Sequence, residues 1–272
     1  MKAITKRSPK EHVKLLQGLL NIYGHCELAI DGSFGPATKT ALLDWQRKNG
    51  LAADGSCGNA TFATFGVLTT DNNTLLWRIP LATIGKQAME TKIKKRLSQK
   101  AWNLNEGAGY NFLINGGMFD TRSGMIVQDT IEKGKLINGG NYASDGIAFC
   151  NDRTTGSIYP STTYKSAGKA VDFIGGAPSL LPTKDVAGLS GAYLYQKTKW
   201  NMIGCDEKNF YYLTSVSPVR METMEKWAKH HGVANLINLD GGGSRFLSLC
   251  GSSVFATDGR GIPQVIGLRI GG

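Results

Sequence analysis

The 272-residue chain predicts an α+β fold, in which a small three-helix N-terminal domain is followed by a strand-rich, mixed α/β domain. Three observations support this prediction. Apolar residues recur at helical spacing in the first part of the chain, short apolar runs separated by turns dominate the later part, and the 35 glycines suit a body rich in loops and strands. We place the first domain at 1–66, a short polar linker at 67–73 and the second domain at 74–272.

The first helix is predicted from an apolar face. Val13, Leu16, Leu19 and Leu20 recur at helical spacing, and Gly24 should end the helix. A helix of this kind buries one stripe of its surface, so it needs partners within the same domain.

A turn-and-helix unit supplies those partners twice. The sequence DGSFGPAT at 31–38 recurs as DGSCGNAT at 54–61, and each copy leads from a glycine-containing turn into a helix. Pro36 suits a first helical turn, because its fixed φ matches the helix and its missing N–H would have no partner there. Leu42 and Trp45 lie on one apolar face between the copies. Three short helices around a small core follow from this pattern.

The second domain should consist mainly of strands with one late helix. Ser217 and Pro218 suit the start of that helix, and Gly232 suits its end. Short runs of apolar and β-branched residues predict strands at 110–114, 145–149, 171–174, 210–213 and 264–270.

The charge of the chain favours a polyanionic partner, since the formal net charge is +10. The basic stretch at 86–100 is predicted to be a solvated helix, because Ile93 and Leu97 lie four residues apart, with a phosphate-steering patch as the alternative. It lacks the interleaved aromatic residues of a platform for single-stranded nucleic acid. Nucleic acid is therefore disfavoured against a phosphate-rich wall polymer.

The sequence also carries expectations about the cellular compartment. It contains no long apolar run that could span a membrane, so no membrane partner is predicted. Its charged start, MKAITKRSPK, lacks the apolar core of a signal peptide, so we expect synthesis in the cytoplasm without one. The five cysteines are odd in number and scattered, and they are expected to be free buried thiols.

The most informative segment is an apolar run at 234–239 that stops at Asp240, three glycines, Ser244 and Arg245. Three successive glycines are costly to order, so they indicate that another group, such as a sugar or a phosphate, approaches the main chain closely. An earlier strand ends in the same way at 115–117. If both turns open on one cleft, their N–H groups can hold anionic oxygens, and a third bend at 175–176 is expected to join them.

These segments resemble a known family. NLDGGGS at 238–244 resembles the signature of phosphodiester glycosidases, the family of the enzyme that removes N-acetylglucosamine from its sugar-1-phosphate diester. NGGMF at 115–119, GGAPSLL at 175–181 and NMIG at 201–204 fit the same family in the same order. The resemblance covers roughly residues 74–272.

The duplicated turn carries a second resemblance. Residues 11–66, with Leu16-Gln17, Trp45-Gln46 and both Asp-Gly turns, are similar to the peptidoglycan-binding domain attached to many wall hydrolases. This resemblance implies that the Asp-Gly turns are scaffold and that a polar groove between helices contacts the wall. It also implies action at the bacterial cell wall, with peptidoglycan and anionic wall polysaccharide as partners.

The family resemblance implies cleavage of a glycosyl-phosphate linkage. Because a phosphate monoester leaves readily, such a site needs cations and N–H donors for the phosphate and one carboxylate for the oxocarbenium-like carbon or its water. The residues assigned to catalysis are Asp240, Ser244 and Asn115. The residues assigned to substrate binding are Gly116, Gly117, Asp145, Gly175, Gly176, Lys199, Trp200, Gly241, Gly242, Gly243, Arg245, Asp258 and Arg260.

Several of these assignments have alternatives. Asp240 is the proposed carboxylate or a turn cap, Asn115 is a sugar anchor or a backbone anchor, and Arg245 binds phosphate or sugar hydroxyls or points to solvent. Family members usually carry Arg-Thr before the Ile-Gly pair, where this chain has Lys199 and Trp200. Lys199 replaces an arginine only as a point charge, and Trp200 is expected to stack on a sugar.

The sequence thus predicts a wall-targeted hydrolase acting on teichoic acid or a similar anionic polymer, and the expected lack of an export signal fits a phage-encoded enzyme. No cofactor is required, although a carboxylate-bound calcium or magnesium ion is compatible with the sequence. Two other functions stay open. One is a catalytically inactive wall-binding protein, suggested by the missing Arg-Thr, and the other is a phosphodiesterase in which Ser244 attacks phosphorus.

Overall fold

The computed structural model describes residues 1–70, 74–93, 110–132, 134–138, 146–149, 158–161, 172–175, 179–181 and 195–271. Within these ranges the helices are α1 (Lys10–Gly24), α2 (Pro36–Lys48), α3 (Asn59–Thr64) and α4 (Met221–His230). The strands are β1 (Val67–Thr69), β2 (Thr74–Pro80), β3 (Ile84–Ile93), β4 (Phe112–Asn115), β5 (Thr130–Glu132), β6 (Lys135–Asn138), β7 (Gly146–Phe149), β8 (Ile158–Ser161), β9 (Asp172–Gly175), β10 (Ser179–Leu181), β11 (Asn201–Cys205), β12 (Asn209–Ser215), β13 (Asn235–Asn238), β14 (Leu247–Leu249), β15 (Ser252–Phe255) and β16 (Gln264–Ile270).

The described strands form three sheets. A six-stranded sheet has the order β1-β2-β12-β11-β13-β10, and two five-stranded sheets have the orders β15-β14-β4-β16-β3 and β6-β5-β9-β7-β8. The predicted α+β fold, with helices first and a strand-rich body after them, is confirmed. No helix within the described ranges is both long and apolar enough to cross a membrane.

A buried glutamine closes the first of the two repeated turns. The Nε2 of Gln17 in α1 donates to Asp31 Oδ1 (3.0 Å) and Thr38 Oγ1 (3.1 Å), and its Oε1 accepts from the N–H of Gly32 (3.0 Å). Gly32 has a φ of 79°, a conformation that favours glycine. One amide side chain therefore ties the helix, the turn and the start of α2 together.

The second turn repeats the same arrangement. The Nε2 of Gln46 in α2 donates to Asp54 Oδ1 (2.9 Å) and Thr61 Oγ1 (3.3 Å), and its Oε1 accepts from the N–H of Gly55 (3.0 Å). The predicted scaffold role of both Asp-Gly turns is confirmed. The glutamines explain it, because each buried amide has its polar atoms satisfied inside the unit.

The expected basic helix at 86–100 is wrong for its described part. Residues up to Ile93 belong to strand β3, which pairs antiparallel with β16, for example Met89 with Leu268 and Ile93 with Gln264. Pairing with a strand distant in sequence overrides the local helical spacing. Residues 94–100 lie outside the described ranges.

Two further expectations are corrected by strand pairing. The first residues of the polar linker at 67–73 form β1, which pairs with β2. Helix α4 begins at Met221 rather than at Ser217, because Val219 forms a bridge with Thr198 through main-chain hydrogen bonds of 2.9 and 3.1 Å. The chain is extended at that bridge, so the helix starts after it.

One hydrophobic cluster continues through both predicted domains. Leu16 and Leu20 of α1 and Phe65 after α3 belong to the same cluster as Trp77 of β2 and Phe112 of β4. The boundary at residue 66 therefore stays a prediction from sequence, because the core extends across it. A second cluster packs α4 against the six-stranded sheet.

The described cysteines are free thiols. Cys57 and Cys205 are buried as predicted, Cys26 is half-buried, and Cys250 is exposed, which corrects the expectation for that residue. Cys150 lies outside the described ranges.

Candidate active site

The two predicted glycine turns meet at the junction of two sheets. The turn after β4 starts at Asn115, and the loop after β13 starts at Asp240. The N–H of Asp240 donates to the carbonyl of Gly116 (3.1 Å), and Asn115 Nδ2 donates to the carbonyl of Asp240 (2.7 Å). The expectation that these two segments come together is confirmed.

Asn115 holds both ends of the loop 240–246 with one amide group. Its Nδ2 donates to the Asp240 carbonyl, and its Oδ1 accepts from the N–H of Phe246 (2.9 Å). The side chain is 1% exposed. Of the two roles considered for Asn115, the contacts are those of a backbone anchor.

A second buried amide fixes the orientation of the first. Asn201 Nδ2, at the start of β11, donates to Asn115 Oδ1 (2.6 Å), and Asn201 Oδ1 accepts from the hydroxyls of Tyr212 (2.9 Å) and Thr214 (2.6 Å). All four side chains are buried. Polar networks inside a core fix a single geometry when their members are satisfied, so the loop is held by a rigid network.

The first glycine turn uses its N–H groups within the protein. The N–H of Gly116 donates to the carbonyl of Gln264 (2.9 Å), and the N–H of Gly117 donates to Gln264 Oε1 (2.9 Å). A Cβ on Gly116 would come within 2.2 Å of that same Oε1. The prediction that these amides hold a substrate anion is therefore wrong, because Gln264 already occupies them.

The glycines of the second loop are required by close neighbours of the main chain. A Cβ on Gly241 would lie 2.7 Å from the carbonyl of Lys199, and a Cβ on Gly243 would lie 2.0 Å from Asp258 Oδ2. Gly242 has a φ of 58° and donates its N–H to the Lys199 carbonyl (2.7 Å). The close approach inferred from the sequence is real, but the approaching groups belong to the protein.

Asp240 carries the carboxyl group of the loop and is half-buried. Burial raises the pKa of its carboxyl above the ordinary value, while the Ser244 hydroxyl, the positive charge of Arg260 and the Gly241 N–H act in the opposite direction. Such a carboxyl can hold or release a proton nearer neutrality than an exposed aspartate. Ser244 itself is fully buried, so its hydroxyl lies on the interior side of the loop.

An ion pair covers the middle of the loop. Arg260 donates to the Asp258 carboxylate from Nε (2.8 Å) and from Nη2 (2.7 Å), and the two side chains are 43% and 49% exposed. The pair rests against Gly243, where the missing Cβ makes room for it. The half-exposed guanidinium is near enough to Asp240 for its charge to lower the pKa of that carboxyl, and the assignment of Asp258 and Arg260 to substrate binding stays a prediction.

Three other predicted binding residues have structural contacts instead. Trp200 is 3% exposed and donates from Nε1 to the carbonyl of Val219 (2.9 Å), so it does not offer a face to a sugar. Arg245 is 2% exposed, and its guanidinium lies 4.0 Å above the ring of Phe255. Neither of the outward roles considered for Arg245 is compatible with this burial. Lys199 contributes its main-chain carbonyl to the loop, and its side chain is half-buried.

One of the remaining predicted residues lies at a strand end in the third sheet, and two fall outside the described ranges. Gly175 ends β9 in the third sheet, where it pairs with Gly146. Asp145 and Gly176 fall outside the described ranges. Among the described residues, no group of three or more His, Cys, Asp or Glu side chains could hold a metal ion.

Sequence reasoning missed Gln264 and the role of Asn201. The segment 201–204 carries a family resemblance, but the buried amide of Asn201 has no local signal in the sequence. Gln264 acts on Gly117 from 147 residues away in the sequence, so no spacing pattern could indicate it. A polar residue at the first position of an otherwise apolar strand is the one hint that the sequence offers.

The fold and the site together define a two-part protein, in which a helical accessory unit precedes an α/β body that carries a carboxyl–arginine site on a glycine loop. Residues 108–269 match the phosphodiester glycosidase family, and the chain belongs to that family. Residues 9–65 match the putative peptidoglycan binding domain. Both resemblances inferred from the sequence are confirmed.

Solved structures share the fold of the body. The catalytic domain of zebrafish N-acetylglucosamine-1-phosphodiester alpha-N-acetylglucosaminidase, auto-inhibited by its pro-peptide, is 18% identical, covers 75% of this chain and 80% of its own, and has a TM-score of 0.55. A hypothetical protein from Synechocystis covers 75% of this chain and 61% of its own at 12% identity, with a TM-score of 0.56. At these identities the likeness concerns the fold.

Two curated relatives match shorter segments. The zinc D-Ala-D-Ala carboxypeptidase of Streptomyces albus G is 43% identical over 75 residues, which are 26% of this chain and 29% of that protein. The N-acetylmuramoyl-L-alanine amidase CwlM of Mycobacterium tuberculosis is 40% identical over 60 residues, 22% of this chain and 15% of that protein. The matches thus span less than a third of either relative.

Proposed function

We propose that this protein is a hydrolase that is held on peptidoglycan by its N-terminal unit and cleaves sugar-1-phosphodiester linkages in teichoic acid or a similar anionic wall polymer. The observation that carries the proposal is the half-buried Asp240 carboxyl, with a raised pKa, beside the half-exposed guanidinium of Arg260. Family membership supports the reaction class, and the match of residues 9–65 to a peptidoglycan binding domain supports the cell wall as the place of action.

Asp240 and Arg260 divide the chemistry between them. Arg260 donates two hydrogen bonds to the Asp258 carboxylate, and this pairing holds the remaining N–H groups of the guanidinium in a fixed orientation for a phosphate. Asp240, in its ionised form, stabilises the positive charge that develops on the anomeric carbon or takes a proton from the attacking water. The phosphate monoester then leaves without strong help from an acid.

Asn115 and Ser244 act on Asp240 rather than on the substrate. Asn115 fixes the main chain at both ends of the loop, and the Ser244 hydroxyl favours the ionised carboxyl from the buried side. Precise placement of a reacting group accounts for a large part of many catalytic rates. These two residues are therefore proposed as positioning residues.

Hydrolysis in heavy-oxygen water tests the proposal. The substrates are a soluble N-acetylglucosamine-1-phosphodiester and purified wall teichoic acid, and Asp240→Asn serves as the inactive control. We expect the label in the sugar, since water attacks the anomeric carbon. Label in the phosphate would instead establish the phosphodiesterase alternative.

One observation favours a second candidate, a wall-binding protein without turnover. Trp200 is buried and Lys199 contributes a main-chain carbonyl, so this strand end does not replace the Arg-Thr pair usual in the family with a fixed cation. Under this alternative, insoluble peptidoglycan retains the protein, while neither substrate is hydrolysed between about pH 4 and pH 9. Carboxyl and imidazole groups titrate within about this range.

A further inference from the structure

Helix α1 belongs to the peptidoglycan-binding unit, yet it is buried on more than the side that faces α2. Its buried residues include Val13, Leu15, Leu16 and Leu19. Besides α2, it contacts strands β14 and β15 of the body. A helix that served only a tethered accessory domain would expose the face turned away from that domain.

Gly18 shows how closely α1 approaches the body. A Cβ on Gly18 would come within 2.5 Å of Leu249 Cδ1 and 2.7 Å of Leu249 Cβ, so strand β14 occupies the space of a side chain. Nearby, Lys14 Nζ donates to the carbonyl of Ser253 in β15 (3.2 Å). Glycine is unfavourable inside a helix, and the contact with Leu249 accounts for its presence here.

A second set of contacts joins the unit to the other sheet. Trp77 Nε1 of β2 donates to the hydroxyl of Tyr23 in α1 (2.9 Å). The ring of Trp77 packs edge-on against Phe112 (5.3 Å), which packs edge-on against Tyr212 (5.3 Å). The Tyr212 hydroxyl donates to Asn201, whose amide holds Asn115. Packed aromatic side chains thus reach from α1 to the network beneath the Asp240 loop.

The strands that α1 covers also anchor the far end of that loop. Strand β14 begins directly after Phe246, whose N–H is held by Asn115. The ring of Phe255 in β15 lies beneath the guanidinium of Arg245 at 4.0 Å. Burial lowers the pKa of Arg245, and the negative charge of Glu11 in α1 acts in the opposite direction. The loop is therefore supported from behind by strands that rest on α1.

We propose that the peptidoglycan-binding unit is a built-in support of the active site, in which Gly18 and its helix position the Asp240 loop through β14 and β15. The unit and the body then fold together, and the wall-binding surface keeps a fixed orientation to the loop. The part of this proposal that concerns activity rests on the proposed function, whereas the part that concerns folding does not.

The variant Gly18→Ala in the full-length protein separates this proposal from a tethered anchor, because the two predict opposite signs. Alanine has a higher helix propensity than glycine. If α1 belonged only to a tethered unit, Gly18→Ala would therefore stabilise that unit and leave the stability and the kcat of the body unchanged. With α1 packed on Leu249, the added methyl group pushes β14 away. We expect a lower midpoint of urea unfolding and a kcat on a soluble glycosyl phosphodiester reduced about tenfold or more.

One control, one readout that does not depend on the amount of folded protein, and one fallback variant complete the test. Thr40→Ala makes a similar gain in helix propensity at an exposed position of α2 and should leave kcat unchanged. The acid limb of the pH profile of kcat should move in Gly18→Ala, which mere loss of folded protein would not cause. If Gly18→Ala does not fold, Lys14→Met replaces it, because methionine cannot donate to the Ser253 carbonyl. We expect a lower midpoint of unfolding and a lower kcat, whereas a tethered unit predicts an unchanged kcat.

Unfolding of the wild-type protein tests the proposal even without turnover. Tryptophan fluorescence and far-ultraviolet circular dichroism should report one coincident transition. Two separated transitions, or a Gly18→Ala protein that is more stable and has the wild-type kcat, would overturn the proposal. If the wild type hydrolyses neither substrate but unfolds in one transition that Gly18→Ala weakens, the proposed function fails and the shared fold stands.

Discussion

The two glycine turns look alike in sequence but differ in what they leave available. In the turn at 115–117, Gln264 accepts both glycine N–H groups, and Asn115 is buried with its amide engaged on both sides. In the loop at 240–245, Asp240 stays half-buried with a raised pKa, and a half-exposed ion pair lies over Gly243. The first turn is a support, and the second is the one in which we propose the chemistry.

This difference shows that a glycine turn is not by itself a ligand site. At Gly116, Gly241 and Gly243 the space that a side chain would fill is taken by Gln264, by a main-chain carbonyl and by Asp258. The glycines allow two sheets to place their strand ends within hydrogen-bonding distance of each other. The carboxyl and guanidinium groups at that junction then determine what it can do.

The largest expected effect comes from Asp240→Asn. We expect kcat to fall by about 10²–10⁴-fold, the range typical of losing a general acid or base. The raised pKa means that the folded protein binds the proton of the Asp240 carboxyl more tightly than the unfolded chain does. The contribution of Asp240 to the free energy of unfolding is therefore lost as the pH rises from the unfolded pKa through the folded pKa. The variant should therefore be no less stable than the wild type at pH 7.

Steady-state kinetics and urea unfolding measure the two quantities. Asp44→Asn makes the same chemical change at an exposed ion pair remote from the loop and should leave kcat unaltered. If Asp240→Asn retains more than half of the wild-type kcat, Asp240 has no part in the mechanism. The loop at 240–245 would then have only a structural role, like the turn at 115–117.

The next largest effect is expected from Asn115→Asp, which probes the supporting turn. A carboxylate cannot donate to the Asp240 carbonyl, so one end of the loop loses its bond while the other keeps its acceptor. We expect kcat to fall by about 10–100-fold with little change in KM, since a small displacement of a reacting group has such consequences. The free energy of unfolding should fall by about 1–3 kcal/mol.

Thr214→Val separates positioning from general loss of stability. It removes the bond from Thr214 Oγ1 to Asn201 Oδ1 (2.6 Å) in the same network without touching the loop ends. We expect a comparable loss of stability with a smaller fall in kcat than in Asn115→Asp, because the Tyr212 hydroxyl still donates to Asn201 Oδ1 (2.9 Å) and both loop ends keep their bonds to Asn115. Equal kinetic effects in both variants would mean that the network acts through stability alone.

The sequence could predict the parts of this site that local patterns encode. The Asp-Gly turns, the strand ends at Asn115 and Asp240, and the family signature all have short-range signals, and the structure brings the two strand ends together as expected. Burial could not be predicted in the same way. Trp200 and Arg245 looked like exposed binding residues, but each has a partner, Val219 or Phe255, that only the packing of elements supplies.

Arg260→Gln should give the smallest kinetic effect and sharpen the distinction between binding and chemistry. The guanidinium is proposed to hold the phosphate, so KM should rise by about tenfold, in line with the loss of a charge-assisted hydrogen bond. Its positive charge also lowers the pKa of Asp240. Removal of that charge should raise the pKa further and move the acid limb of kcat/KM to higher pH, because the ionised carboxyl is the proposed active form.

Arg260→Lys provides the matched control. It keeps the charge but loses the fork that pairs with both oxygens of Asp258. The acid limb should therefore stay near the wild-type position, while KM rises part of the way towards the value of the glutamine variant. A shift of the limb to lower pH in Arg260→Gln would contradict the electrostatic link, since a lost cation cannot favour the carboxylate. In that case Arg260 would act only through Asp258, and the loop would carry a single reactive group.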